Sequence, residues 1–239
     1  MINAPQQQIP GVYHRRVGDI VVTAISDGFL DGTLEVLRNI SQDEARQILT
    51  DCFRPARRTA VNAFLIHSAG RLALIETGSG NYLQPTAGKV LTNIKAAGVA
   101  PTDIEAVLLT HMHPDHSAGL TDMATGKPNY PNAELVMHQR EPEHTPGHTT
   151  FMISSGKEQL LIWGDTVHVP EVQTARPEVC MDFDTDQDMA AASRRKVFDM
   201  AATDRLLVTG MHLHFPGFAH LVRNGTGYRL IPAAWEQAL

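Results

Sequence analysis

The segment Thr110-His111-Met112-His113-Pro114-Asp115-His116 sets three imidazoles and one carboxylate within six residues, immediately after the apolar run 105–110. Ionisable side chains beside a buried strand carry a desolvation cost unless something neutralises them. A metal ion does so, because imidazole nitrogen and carboxylate oxygen are its ligands. On an extended segment side chains repeat every two residues, so His111 and His113 point the same way and can grip one ion. Pro114 is expected to interrupt regular structure and turn Asp115 and His116 toward a second ion. Such donors suit Zn²⁺ best, and Mn²⁺, Co²⁺ and Fe²⁺ are compatible with them. A histidine-rich polar loop is the bland alternative; a lone HxH would leave it standing, but the full spacing counts strongly against it.

Four residues cannot complete two coordination shells, so further ligands are expected downstream. Twelve histidines occur in 239 residues, nine of them from His111 to His214. His144-Thr145-Pro146-Gly147-His148 is a turn sequence before an expected strand over 149–154. Asp165 follows the apolar run 160–164, and His212 follows the apolar run 205–210; both are strand-end positions. A carboxylate such as Asp165 can bridge two cations, which an imidazole cannot. Each of these residues alone is equally well a turn, cap or pocket-wall residue, and the case rests on their combination with the first cluster.

The rest of the chain is that of an ordered globular protein, with 43% hydrophobic and 19% charged residues. A net charge of −6 gives no electrostatic footprint for nucleic acid. The short basic clusters Arg15-Arg16, Arg54 with Arg57 and Arg58, and Arg194 with Arg195 and Lys196 read as solvated faces. Cys52 and Cys180 are too few for a disulfide framework and read as reduced thiols. The N-terminal residues have neither a basic region nor an apolar run, and no later stretch has the apolar length to span a bilayer. The expectation is a cytoplasmic protein acting on a small molecule, with no nucleic-acid or membrane partner.

Residues 1–18 read as an irregular lead-in, 19–26 as a strand, and 41–52 as a helix opened by the capping spacing Ser41 to Glu44. A hairpin is expected over 60–76, a helix over 86–97, strands over 105–110 and 133–138, and a hairpin over 149–163. A helix over 187–202 and strands over 205–209 and 227–231 complete the pattern. Mixed hairpins and strand–helix units point to an α/β (α+β) arrangement with helices outside two sheets.

The ordered residues resemble the metallo-β-lactamase superfamily. His111-x-His113-x-Asp115-His116 is similar to its HxHxDH signature, His144 to His148 to its second histidine motif, Gly164-Asp165 to its bridging aspartate, and Met211-His212 to its final histidine. With Ile25-Ser26-Asp27-Gly28, the run from Met211 through Pro216-Gly217, and 227–232, the series most resembles the methyl parathion hydrolase-like group, whose metal scheme the acyl-homoserine lactonases share. The resemblance covers nearly the whole chain and implies one domain over 1–239: a four-layer αβ/βα sandwich, two mixed sheets flanked by helices, with the metals at one edge. It implies that His111, His113 and His144 hold one metal, that Asp115, His116 and His212 hold the other, and that Asp165 bridges. His148 supports rather than ligates, and relatives of this kind are often dimers, so a homodimer is expected.

Two departures stand out. Glu76-Thr77-Gly78 occupies the place of a usual Asp-Thr-Gly, so a supporting carboxylate is one methylene longer. Relatives carry a long, largely helical insertion before the histidine turn, whereas here Glu143 runs straight into His144; either the insertion is lost or the sequence closes over a segment. The implied activity is dinuclear metal-dependent hydrolysis of an ester, lactone or phosphotriester by a bridging hydroxide, with Asp115 orienting the nucleophile and passing its proton on. β-Lactam hydrolysis and iron-dependent persulfide oxidation on the same fold are the alternatives. Thr110, Glu76 and Asp27 are candidates for holding ligands in place, while His168, His214 and His220 are expected to line or support the pocket without binding metal.

Overall fold

The structure is a computed structural model that describes residues 4–6, 8–54, 56–138 and 147–239. In its first half, β1 (Val12–Val17) and β2 (Ile20–Gly32) form an antiparallel hairpin about Gly18. A short β3 (Leu37–Arg38) and α1 (Gln42–Asp51) follow; the Ser41 side chain caps the helix by accepting from the Glu44 N–H. β4 (Arg57–Ser68) and β5 (Arg71–Ile75) make the expected hairpin, then come α2 (Val90–Ala96), β6 (Ala106–Leu108), α3 (Pro114–Ser117) and β7 (Glu134–Val136). The second half contains β8 (Phe151–Ser155), β9 (Glu158–Ile162), α4 (Pro170–Ala175), β10 (Cys180–Met181), α5 (Gln187–Thr203), β11 (Leu207–Thr209), β12 (Ala219–Asn224) and β13 (Gly227–Pro232).

Two mixed sheets result. One has the order β1-β2-β4-β5-β6-β7 and the other β13-β12-β11-β9-β8, while β3 pairs with β10. The period-2 alternation of the strands explains the layering. Along β4, Ala63 and Leu65 pack with Ile94 of α2, whereas Phe64 and Ile66 enter the core between the sheets beside Leu160, Ile162 and Phe218. Along β9 the same alternation sends Leu161 outward to Phe198 of α5. The order is therefore helix, sheet, sheet, helix: the αβ/βα sandwich of the sequence reading. Full burial of a side chain such as Phe64 stabilises by about 2–3 kcal/mol relative to exposure.

The differences from the sequence reading have physical causes. β1 was hidden by His14, Arg15 and Arg16: His14 and Arg16 lie on the solvated face of an edge strand, and the half-buried Arg15 pairs with Glu236. The helix expected from residue 86 starts only at Val90, because the backbone before it is tied to β2: Phe29 N–H donates to Thr86 O (3.3 Å) and Lys89 N–H to Asp27 O (3.1 Å). Gly28 permits that approach, since a Cβ there would lie 2.0 Å from Thr86 O. Pro114 opens α3 rather than interrupting regular structure, because the first helical position does not need its missing N–H. Three arginines read as solvated are not: Arg194 is buried, and Arg15 and Arg57 are half-buried. Among the described residues no helix is long and apolar enough to cross a membrane.

Candidate metal centre

Three strand ends converge at one edge of the sandwich. β6 ends at Leu108 and leads into His111, β9 ends at Ile162 ahead of Asp165, and β11 ends at Thr209 ahead of His212. β9 and β11 are parallel neighbours, so both deliver their following residues to the same side. There His111, His113 and Asp165 bring one donor atom each within 4.8 Å of one another, and so do Asp115, His116 and His212. Asp165 lies between the two groups. Its Oδ2 is 3.4 Å from His111 Nε2, and its Oδ1 is 3.2 Å from His116 Nε2 and 3.1 Å from His212 Nε2. Asp115 Oδ2 is 3.5 Å from His212 Nε2 and 3.6 Å from His116 Nε2.

Surrounding groups aim these donors. Ala60 O lies 2.8 Å from His212 Nδ1 and accepts its proton, which leaves Nε2 as the lone-pair nitrogen facing Asp165. The longer Glu76 side chain serves two residues: Oε1 accepts from the Thr110 N–H (2.8 Å) and Oε2 approaches His116 Nδ1 at 3.4 Å. Its backbone takes φ +66, a conformation uncommon outside glycine and held here by its N–H donating to Leu108 O. Thr110 Oγ1 lies 3.0 Å from His111 Nδ1, and Thr77 donates from both N–H and Oγ1 to His116 O. Asp27 touches no donor; it accepts from the N–H groups of Ser79 and Val90 and so braces the loop behind Glu76.

The charges are mutually dependent. Burial alone would push the His116 imidazole down, but Asp165, Asp115 and Glu76 around it outweigh burial and hold it well above its ordinary range. Burial likewise opposes ionisation of Asp165, and His116, His212 and His111 overcome it, keeping the carboxyl well below the usual range. His148 is driven the other way, to about 3, by burial and then by His111. Its Nε2 accepts from the Asp165 N–H at 2.8 Å, which requires a neutral ring. Gly164 makes that contact available, because a Cβ there would stand 2.3 Å from the same nitrogen.

The arrangement fits a metal pair by its own chemistry. His116 Nε2 and Asp165 Oδ1 are both buried and approach to 3.2 Å, yet neither makes a hydrogen bond to any described residue. Buried polar atoms are ordinarily satisfied, and a cation between them supplies what each lacks. His144 lies outside the described residues. His168 is the residue that sequence reasoning set aside: its Nε2 stands 3.0 Å from Asp165 Oδ2, and with Asp165 and His212 it forms a third group of close donors. Its three-residue offset from Asp165 was the only available signal. His214 and His220 stay away from the donors, paired with Glu171 and Leu206 O respectively.

Residues 56–129 match the sequence profile of the metallo-beta-lactamase superfamily. That stretch holds the whole His111-to-His116 cluster, and over 97% of this chain the fold superposes on AbOPH, a hydrolase in the beta lactamase superfamily, with a TM-score of 0.91 and 27% identity, covering all of that protein. Residues 56–129 thus carry the pattern of the metallo-β-lactamase superfamily, and the fold as a whole is similar to that of one of its hydrolases. AidC, a dizinc quorum-quenching lactonase, shares the fold, with a TM-score of 0.90 at 24% identity over 95% of this chain and 99% of that one. A probable metal-dependent hydrolase from Staphylococcus aureus matches with a TM-score of 0.75 at 18% identity, over 94% of this chain and all of that one. In sequence, an atrochrysone carboxyl ACP thioesterase of Passalora fulva is 26% identical over 133 residues, 44% of this chain. That match spans 38% of the thioesterase's own length.

Proposed function

We propose that this protein is a dinuclear metal-dependent hydrolase of a small ester or lactone, with phosphotriesters as substrates of the same chemistry. The observation that carries the reading is Asp165: donors from both halves of the sandwich surround one carboxylate, with His111 near one oxygen and His116 and His212 near the other. His111, His113 and His144 would hold one ion, Asp115, His116 and His212 the second, with Asp165 shared between them. When bound, a pair of Zn²⁺ ions would lower the pKa of a water toward about 7 and polarise the substrate's carbonyl or phosphoryl oxygen.

The chain's own residues do the rest. Asp115, more open to the cleft than Asp165, orients the attacking water through Oδ2 and carries a proton from it to the leaving oxygen. His212, fixed by Ala60 O, and His116, flanked by Glu76, keep their rings from turning as charge develops. A cleft of about 340 Å³ opens over these donors, walled by Leu30, Leu83 and Phe183, a size that suits a small molecule. The similarity to the hydrolase AbOPH and, over part of the chain, to a thioesterase supports transfer of an acyl group to water.

Metal content and turnover of a lactone, a phosphotriester, a β-lactam and a persulfide decide the matter in one panel. The expected result is two metal equivalents per chain, hydrolysis of the lactone or phosphotriester, and loss on chelation that Zn²⁺ reverses. A single iron with persulfide oxidation, or turnover of the β-lactam alone, would overturn the reading.

A further inference from the structure

The cleft over the metal donors contains a cation that none of the described carboxylates answers. Arg57 and Thr59 lie two apart on β4, so both side chains emerge on the same face, and both line the cleft with His113, Asp115 and His212. Ala60, next along the strand, accepts from His212 Nδ1. β4 therefore runs along the rim of the site, with Arg57 about 10 Å of strand from that anchor.

The guanidinium is held but not neutralised. Its Nε donates to Thr33 O at 2.8 Å and Nη1 reaches Thr59 Oγ1 at 3.4 Å, which leaves most of its five N–H groups uncommitted. No salt bridge joins Arg57 to any described residue, and burial works against its charge. The adjacent Arg58 provides the contrast. It sits on the opposite face, makes two hydrogen bonds to Asp31 at 2.7 and 2.9 Å, and covers the Phe29 ring. Asp31, the carboxylate of the cleft outside the metal donors, is thereby taken. The berth of Arg57 is also built: Gly32 is its cross-strand partner, and a Cβ on Gly32 would stand 1.7 Å from Nη2.

A half-buried, pre-positioned guanidinium with free donors matches a carboxylate in shape and charge. We propose that Arg57 is an anion subsite of this cleft, and that the preferred substrate is an ester or lactone whose non-reacting end carries a carboxylate. This rests on the hydrolase reading above and sharpens it to a substrate class. It also runs against the chain's net charge of −6, because the field in the cleft is set by the groups lining it and not by the distant surface.

The test compares two acyl esters of equal length on the zinc-loaded enzyme: p-nitrophenyl hexanoate and the p-nitrophenyl half-ester of adipic acid. The wild type is expected to favour the half-ester in kcat/KM by about 10-fold or more, mainly through KM. In Arg57→Met the ratio between the two esters should fall by about 10- to 100-fold, and Arg57→Lys should recover part of it. Gly32→Ala, which displaces the guanidinium and leaves its charge, should lower the same ratio and gives the answer if Arg57→Met does not fold. A wild type indifferent to the carboxylate overturns the proposal, as do variants in which both esters slow equally. Failure of the metal-loaded wild type on both esters, and on the lactone and phosphotriester as well, removes the hydrolase reading and this subsite together.

Discussion

The first half of the molecule presents its donors from one uninterrupted stretch, His111 to His116, whereas the second presents Asp165, His168 and His212 singly from loops after β9 and β11. In the first case a few backbone dihedrals fix the geometry: two imidazoles before Pro114, a carboxylate and an imidazole in the first turn of α3. In the second case sheet register fixes it. Ile162 and Thr209 are register partners in the parallel pair, and Asp165 and His212 each lie three residues beyond them. One half is thus a local motif, and the other exists only once the sheet has formed.

The largest test of that division is Asp165→Asn, which removes charge where the two halves meet. Activity should fall by about 10³-fold and bound metal should decrease, with the circular dichroism spectrum unchanged. If His113→Ala loses as much metal while Asp165→Asn loses none, the local motif binds without the second half and the proposed sharing fails. Next in size is Arg194→Met. Arg194 is buried and donates to Thr166 O at 2.7 Å, Pro177 O at 2.9 Å and Val179 O at 2.8 Å, tying the turn beside Asp165 to α5. Leaving those carbonyls without a donor should cost about 3 kcal/mol, read as a lower urea midpoint. Retention of full stability would show that the turn is held by β9 alone.

A smaller effect belongs to the first half. Glu76→Gln keeps a hydrogen-bond acceptor for the Thr110 N–H but removes the negative charge beside His116 Nδ1. Activity or metal affinity should drop about 10- to 100-fold, the usual range for a group that orients a ligand. Equal activity in Glu76→Gln would mean that the contiguous stretch aims itself.

This division also explains what could be read from the sequence. His111, His113, Asp115 and His116 declare themselves because their spacing is the geometry, and Asp165 and His212 because each follows an apolar run that must be a buried strand. His168 has no such run before it, only an offset from Asp165, and its approach to that carboxylate depends on the turn between β9 and α4. The helices and hairpins with strong periodicity were legible to within a few residues. β1 and β12 were not, since His14 and Arg16 in one and His220 and Asn224 in the other give them outward polar faces, and Arg15 and Arg223 interrupt their apolar ones. Arg57 and Arg194 were misread for a different reason. A run of basic residues is normally solvated, and only tertiary partners, Gly32 for one and three backbone carbonyls for the other, bring these two side chains inward.

The smallest expected effect concerns the part of the second half that stands apart from the candidate metal donors. His214 lies two residues after His212 yet pairs with Glu171 at 2.7 Å, and Arg54 reaches the same carboxylate at 2.8 Å. Burial raises the Glu171 carboxyl, but hydrogen bonds from His214 and Arg54 outweigh it and bring it to about 2, from a usual 4.5. A folded-state value below the unfolded one stabilises the protein at pH above roughly 4.5, and the gain is lost as pH falls toward about 2. Glu171→Gln should therefore cost about 1–2 kcal/mol at pH 7 and nothing near pH 2, with metal content at pH 7 unaltered. Stability measured by urea denaturation across that window checks the sign. A variant that also loses metal would tie this pair to the donors and erase the separation between His212 and His214.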